Sequence, residues 1–234
     1  MTRVTRGFTL IELAIVLVII TILIGGLAVP LSAQIQARRI AETNKTLEEA
    51  REAIIGYAMT HKSITTNKPY LPCPDSDATA DGVENRDAIT GICAQNVGWF
   101  PWVTLGTAAQ DAWGNRLLYQ VTASFSKSDG FSNTDTGDLQ ICSTNGCALV
   151  DVASNVPAVL VSYGPNGWGG RNVSGTSLKA PTSADELENT DADVNIVSRA
   201  PTKVDSASGE FDDLVVWLAD GLLRSRVCPA GGCP

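Results

Sequence analysis

The chain has 234 residues, a formal net charge of −8, six cysteines and a single histidine. This length allows one sizeable domain plus an anchor, and the acidic balance argues against a large sequence-independent nucleic-acid surface. One histidine, with no Ser-His-Asp or Cys-His arrangement and no nucleotide-binding loop, gives no support for an enzyme.

The first thirty residues predict a membrane anchor. Two arginines precede Gly7, and residues 8–29 are then apolar or small apart from two threonines and Glu12. About twenty apolar residues suffice to span a bilayer as a helix, and the positive flank predicts that residues 1–7 stay cytoplasmic. An ordinary secretory signal fits less well, because its small-residue cleavage site is poor and the helical pattern continues beyond it.

Glu12 is the one acidic residue in this apolar segment. A carboxylate inside a membrane helix costs roughly 2.5–3.5 kcal/mol on insertion scales and usually marks a function that involves a partner. The alternative is that Glu12 lies at the membrane interface, where the cost is lower.

The run Gly7-Phe8-Thr9-Leu10-Ile11-Glu12 resembles the N-terminus of type IV pilins and pseudopilins. The resemblance implies cleavage between Gly7 and Phe8 by a prepilin peptidase, followed by methylation of the Phe8 amine. It also implies assembly with identical or related pilin subunits on an inner-membrane platform. The protein would then be a single-pass inner-membrane protein before assembly and part of a periplasmic or extracellular filament afterwards.

The charges suggest how the anchor assembles. Cleavage gives Phe8 a cationic amine, and two uncompensated charges in hydrocarbon are costly unless they pair. We expect Glu12 of one subunit to pair with the Phe8 amine of a neighbour and so to set the register of assembly.

Residues 31–62 continue as an amphipathic helix in which apolar residues recur at steps of three and four. We expect residues 40–60 to pack on the chain's own soluble domain, and residues 8–35 to pack against other subunits. The predicted organisation is a leader (1–7), an assembly helix (8–30), the amphipathic helix (31–62) and a disulfide-containing, β-rich domain (63–234).

After residue 62, Gly, Pro, Asn, Asp, Ser and Thr become frequent, which is typical of strands and loops. Residues 63–100 read as a long acidic surface loop that a Cys73–Cys93 bridge could close. Its aspartates could indicate calcium, but they lack the spacing of an EF-hand loop, so a solvated loop is favoured.

Several short apolar runs predict strands. These are residues 117–123, 139–142, 147–150 and 157–163. A Cys142–Cys147 disulfide needs the two cysteines opposite each other across a four-residue loop, whereas a tight Asn145-Gly146 turn would pair Cys142 with Leu149. We favour the disulfide and the wider loop.

Residues 111–119, 160–170 and 211–217 resemble the major pseudopilin of type II secretion, with Gly114 in a turn capped by Asp111 and Asn115. In that family the glycine-rich loop holds calcium with an aspartate and a later acidic pair. The resemblance implies Asn166, Asp212 and Asp213 as calcium ligands.

The alternative is that Asn166 only stabilises its own turn while the two aspartates lie in solvent. Residues 171–210 are polar and read as a long loop or partly ordered insertion, from which Asp185 or Glu188 could complete a metal site.

The C-terminus reads as a hairpin. Residues 214–219 and 222–227 flank Asp220-Gly221, a favoured two-residue turn, and a small Cys228–Cys233 loop closes the chain. The sequential pairing 73–93, 142–147 and 228–233 is one of fifteen possible schemes.

These features predict an α+β fold, a ladle in which a long N-terminal helix packs on an antiparallel sheet. Three functions fit: a pseudopilin of a type II secretion machine, a major or minor type IV pilus subunit, and a membrane-anchored binding module that never polymerises. The glycine-rich loops favour the first and the three disulfides favour the second. Glu12 argues against the third, because a plain anchor has no use for it.

Overall fold

The computed structural model of the chain describes Gly7, residues 9–228 and Cys233, and within the first helix it leaves the side chains of residues 25–30 undescribed. The chain divides into two compact units, Met1–Ala41 and Glu42–Pro234. Phe8, the predicted mature N-terminus, lies outside the described residues.

The elements are one long helix followed by strands that are interspersed with short helices. They are α1 (Leu10–Thr60), β1 (Val97–Trp99), α2 (Trp102–Leu105), β2 (Leu118–Val121), α3 (Ala123–Ser126), β3 (Leu139–Cys142), a 3₁₀ turn (Asn145–Cys147), β4 (Ala153–Val156), β5 (Ala158–Ser162), α4 (Ala184–Glu188), β6 (Asn195–Val197), β7 (Leu214–Leu218) and α5 (Asp220–Val227). An N-terminal helix followed by a predominantly antiparallel β-domain is the predicted α+β layout.

The first helix has two different surroundings along its length. In the first unit, the large apolar side chains from Leu10 to Ile24 are all at least 43% exposed. From Glu42 onward the helix belongs to the globular unit, where Leu47, Ile54 and Ala58 are fully buried. Among the helices of the described residues, none combines the length and apolar character needed to cross a membrane.

Two sheets build the globular unit. The larger one has the strand order β1-β2-β5-β7 and is antiparallel throughout, with Tyr119 opposite Leu160 and Leu160 opposite Val216. Leu160 and the buried side of α1 belong to the same apolar cluster, which places the main core between the helix and this sheet. The smaller sheet has the order β4-β3-β6, and its apolar residues share a second cluster with Val159 and Val161 of β5 in the larger sheet.

The 171–210 segment is more ordered than the sequence indicated. It contains α4 and β6, and β6 pairs in parallel with β3, so Ile196 lies opposite Ile141. Both isoleucines are at most 2% exposed. The 171–210 segment is too polar to form a core of its own. The burial of apolar surface at Ile141 and Ile196 supplies the favourable free energy that attaches it to β3.

The C-terminal hairpin prediction is wrong in its second half. Residues 214–218 are a strand, but residues 220–227 form α5. Leu223 and Val227, four residues apart, both face the core, which suits a helix rather than a strand. Asp220 starts the helix and pairs with Arg224 one turn later, at 2.8 Å.

The predicted strand at 147–150 is also wrong. Gly146 (φ 70°) and Cys147 (φ 40°) turn the chain in the left-handed region, so the antiparallel partner of β3 begins only at Ala153. The three disulfides are Cys73–Cys93, Cys142–Cys147 and Cys228–Cys233, which is the sequential pairing expected from the sequence.

The acidic loop before β1 is held in place by Glu84. Its carboxylate accepts from the Tyr57 hydroxyl of α1 at 2.7 Å and from the backbone N–H of Cys73 at 2.8 Å. Arg86 pairs with the same carboxylate at 3.1 Å. One half-buried side chain therefore ties the disulfide loop to the helix.

Candidate functional site

The predicted assembly residue lies in the first turn of α1. Thr9 donates its backbone N–H and its hydroxyl to Oε2 of Glu12, at 2.9 and 2.8 Å. In return the Glu12 backbone N–H donates to the Thr9 hydroxyl, at 3.3 Å. This reciprocal arrangement is a capping box, which satisfies donors that the start of a helix otherwise leaves without partners.

A second candidate site lies in the globular unit, where three acidic residues meet. Glu186, Asp212 and Asp213 each place a carboxylate oxygen within 4.8 Å of the others. Glu186 is 1% exposed and Asp213 is 5% exposed. We refer to Glu186, Asp212 and Asp213 as the acidic centre.

Local structure positions each member of the acidic centre. Glu186 lies in the first turn of α4, which Ser183 caps by accepting the Glu186 backbone N–H at 3.2 Å. The Asp212 backbone N–H donates to Oε1 of Glu186 at 3.1 Å. Asn189 donates its side-chain amide to Oδ2 of Asp213 at 2.8 Å and also binds both backbone groups of Val197.

The glycine-rich loop after β5 approaches the centre closely. Gly164 has φ +59°, and a Cβ placed there would lie 2.2 Å from the backbone oxygen of Asp212. Only glycine fits both the conformation and the space. The Asn166 backbone N–H then donates to Oδ2 of Asp212 at 3.2 Å, and its side-chain amide donates to Oε1 of Glu186 at 3.5 Å.

The electrostatics of the centre are dominated by the burial of its three carboxyl groups. One oxygen of each residue, namely Glu186 Oε2, Asp212 Oδ1 and Asp213 Oδ1, is buried without a hydrogen-bond partner among the described residues. Burial, together with the charge of Glu186, raises the pKa of Asp212 to about 7. Burial also raises the pKa of Glu186 and holds that of Asp213 well above its usual range.

Comparison with known proteins bears on the first site. Residues 2–28 match the family model described as the prokaryotic N-terminal methylation motif. That match includes Gly7, Thr9 and Glu12. The chain therefore carries the processing signature of type IV pilins and pseudopilins. The searches of curated proteins and of solved structures returned no significant match.

The donor set of the acidic centre fits a hard divalent cation. Calcium takes six to eight oxygen ligands in flexible geometry, and a metal compensates for buried carboxylate charge. The three buried oxygens without partners are the atoms that would hold such an ion. Asn166 lies beside them, but its own side-chain oxygen accepts from the Trp168 backbone N–H at 2.8 Å.

The structure thus brings Asn166, Asp212 and Asp213 together and adds Glu186. Sequence reasoning missed Glu186 and named its neighbours instead. Asp185 pairs with Arg199 at 2.6 Å, and Glu188 accepts from the Gly146 backbone N–H at 2.9 Å. Ser183-x-x-Glu186 has the spacing of a capping box, so it could have indicated the start of α4 but not a metal ligand.

Proposed function

We propose that the protein is a structural subunit of a type IV pilus-like filament, and specifically a pseudopilin of a type II secretion machine. The observation that supports the filament role is the methylation motif over residues 2–28, with Glu12 held in the first turn of the helix. Cleavage after Gly7 gives Phe8 a charged amine, and Glu12 of an adjacent subunit offers the matching carboxylate. The role is mechanical rather than catalytic.

The contacts within the first unit support this assembly. Thr9 occupies only Oε2 of Glu12, so Oε1 can accept a further hydrogen bond. The exposed apolar side chains from Leu10 to Ile24 form a surface that lipid can cover before assembly and neighbouring helices can cover afterwards. The loops around Gly114 and Gly164 favour the pseudopilin within the wider family.

The pairing is tested by two substitutions on the same helix. Glu12→Ala should leave cleavage and methylation of Phe8 intact, as read by mass spectrometry of the mature N-terminus, and should abolish filaments. Glu42→Ala removes another exposed carboxylate from α1 and should leave filament yield unchanged. Normal filaments from Glu12→Ala would refute the proposed pairing of Glu12 with Phe8. A mature chain that retains residues 1–7 would refute the filament role.

A type IV pilus subunit is the second candidate. The three disulfides favour it, since covalent cross-links stabilise the folded state of a subunit in an exposed surface fibre. Deleting the gene separates the two. Loss of protein export with normal surface pili supports the pseudopilin, whereas loss of pili with normal export supports the pilus subunit. Export and pili both unchanged, with the protein dispersed in the membrane, would indicate an anchored binding module.

We also propose that the acidic centre holds one calcium ion that locks the glycine-rich loop to the insertion carrying α4. A ligand that binds only the folded state stabilises it by about 2.7 kcal/mol at a hundredfold excess over its Kd. Calcium should therefore raise the Tm by several degrees.

The matched variants are Glu186→Gln and Glu210→Gln. The first removes a carboxylate of the centre, and the second removes a nearby charge that acts on Glu186 without belonging to the cluster. Only Glu186→Gln should abolish the calcium shift. A wild-type Tm that does not respond to calcium would refute this site and leave the filament role untouched.

A further inference from the structure

A second acidic cluster lies in the loop that the Cys73–Cys93 disulfide closes. Asp75, Asp77 and Asp81 each place a carboxylate oxygen within 4.8 Å of the others. Asp77 and Asp81 are exposed, whereas Asp75 is 0% exposed. The cluster thus has one carboxylate at its base and two at its rim.

Asp75 is the residue that points to a ligand. Its Oδ2 accepts from the Gly82 backbone N–H at 2.6 Å, but its Oδ1 is buried and has no hydrogen-bond partner among the described residues. Leaving a buried polar atom without a partner costs about 1–3 kcal/mol, and more when it carries charge. Burial, with the nearby charges of Asp77 and Asp81, raises the pKa of Asp75.

The neighbouring arginines do not neutralise the cluster. The Arg116 charge acts on Asp75, yet its guanidinium stacks 3.8 Å above the Trp102 ring and donates to the backbone oxygens of Ala109 and Val173. In the described part of the chain, no lysine or arginine forms an ion pair with the three aspartates. Arg171 also reaches this loop, but it donates to the backbone oxygens of Ala78 and Gly175, at 3.1 and 2.9 Å. Both arginines are therefore engaged with groups other than the three carboxylates.

The backbone around the cluster is fixed by its own contacts. The side-chain oxygen of Asn85 accepts from the backbone N–H groups of Ser76 and Asp77, at 2.6 and 2.9 Å. Gly82 has φ +84°, and a Cβ there would lie 2.3 Å from the Trp102 ring. The three carboxylates are thus held together by the fold, which lowers the entropic cost of binding an ion.

We propose that Asp75, Asp77 and Asp81 form a calcium site distinct from the acidic centre. Oδ1 of Asp75 supplies the buried ligand, the two rim carboxylates supply exposed ones, and water completes the six to eight oxygens that calcium takes. Calcium tolerates irregular coordination whereas magnesium demands near-ideal octahedral geometry, so three carboxylates held by the surrounding backbone suit calcium better. The site would brace the disulfide loop against α2.

The test is calcium titration calorimetry on the full-length chain in detergent, in a Glu186→Gln background that silences the acidic centre. We expect one calcium per chain in that background, with Asp75→Asn weakening its affinity at least tenfold. Asp87→Asn is the matched control. Asp87 lies in the same disulfide loop and accepts from the Ile89 and Thr90 backbone N–H groups, much as Asp77 accepts from Thr79 and Ala80, but outside the cluster.

Affinity unchanged within twofold in Asp75→Asn, or lowered equally in Asp87→Asn, overturns the proposal, as does magnesium binding as tightly as calcium. If Asp75→Asn does not fold, the exposed Asp81→Asn decides instead, with near-ultraviolet circular dichroism showing that this variant is folded. A tenfold loss in Asp81→Asn supports the site, and an unchanged affinity overturns it.

Discussion

Thr9 donates two hydrogen bonds to a single oxygen of Glu12, through its backbone N–H and its hydroxyl. The residue proposed for assembly is therefore also the residue that closes the first turn of α1. The same box fixes the carboxylate relative to the helix axis. The two roles are compatible because Thr9 uses only one of the two carboxylate oxygens.

The first prediction concerns this capping box. Thr9→Val removes the hydroxyl and should destabilise the first turn by about 1 kcal/mol, the usual cost of losing a cap. The Glu12 backbone N–H donates to the Thr9 hydroxyl and that of Leu13 to the Thr9 backbone oxygen, so hydrogen exchange at these two amides, measured in micelles, should become several-fold faster. Thr9→Ser keeps a hydroxyl and should exchange like the wild type. Equal protection in the valine and serine variants would contradict the capping role.

The second prediction is the pH dependence of the calcium-free protein. Burial raises the pKa of Asp212 from 3.8 to about 7, so the folded state holds a proton that the unfolded state has released between these values. The free energy of unfolding should therefore fall as pH rises from about 4 to about 7.

Thermal melts in EGTA across this range test it. Asp212→Asn, which cannot ionise, should make the dependence shallower without removing it, because burial also raises the pKa of Glu186 and of Asp213. Calcium should restore stability at pH 8 more than at pH 6, because its ligands must be deprotonated. If the wild-type Tm rose steadily from pH 4 to 7, and Asp212→Asn showed the same pH dependence as the wild type, Asp212 would ionise normally.

The third prediction ranks two disulfides. The Cys73–Cys93 bridge closes a separation of 20 residues and Cys142–Cys147 one of 5. In the chain-entropy picture these loops are worth about 3 and about 2 kcal/mol. Replacing each pair by serine should lower the urea midpoint more for the longer loop. The reverse order would mean that contacts made by the short loop, such as Asn145 to Asp185, dominate its contribution.

The sequence predicted most reliably what is encoded locally. A long apolar and then amphipathic run specifies α1, and its buried residues Leu47, Ile54 and Ala58 follow the helical period. The turn at Gly114 also follows from residue chemistry, since Oδ1 of Asp111 accepts from the backbone N–H groups of Trp113 and Asn115.

What the sequence did not predict depends on tertiary contacts. Asp220-Gly221 favours a hairpin locally, but β7 already pairs with β5, and the following residues bury more apolar surface as a helix. Glu186 lies 26 residues before Asp212, so no short spacing could join them. Only the packing of α4 against the glycine-rich loop brings their carboxylates together.

The last prediction concerns Arg224, which connects α5 to the loop that contains Ser132 and Asp135. Its guanidinium pairs with Asp220, donates to the backbone oxygens of Ser132 and Asp135 at 2.6 Å, and lies 5.4 Å from the centre of the Phe125 ring. The half-buried guanidinium thus pairs with a residue one turn earlier in its own helix while its other nitrogens reach the 132–135 loop. Arg224→Met keeps the apolar stem and loses every polar contact, so we expect a loss of about 2 kcal/mol in the free energy of unfolding.

Arg226→Met in the same helix is the control. Among the described residues Arg226 pairs only with Glu52, and both side chains are 48% exposed, so the loss should stay below about 1 kcal/mol. Urea unfolding followed by tryptophan fluorescence compares the two variants. Because both substitutions remove one positive charge from α5, any difference between them reports the buried contacts of Arg224. Equal losses would mean that α5 is held by Leu223 and Val227 alone.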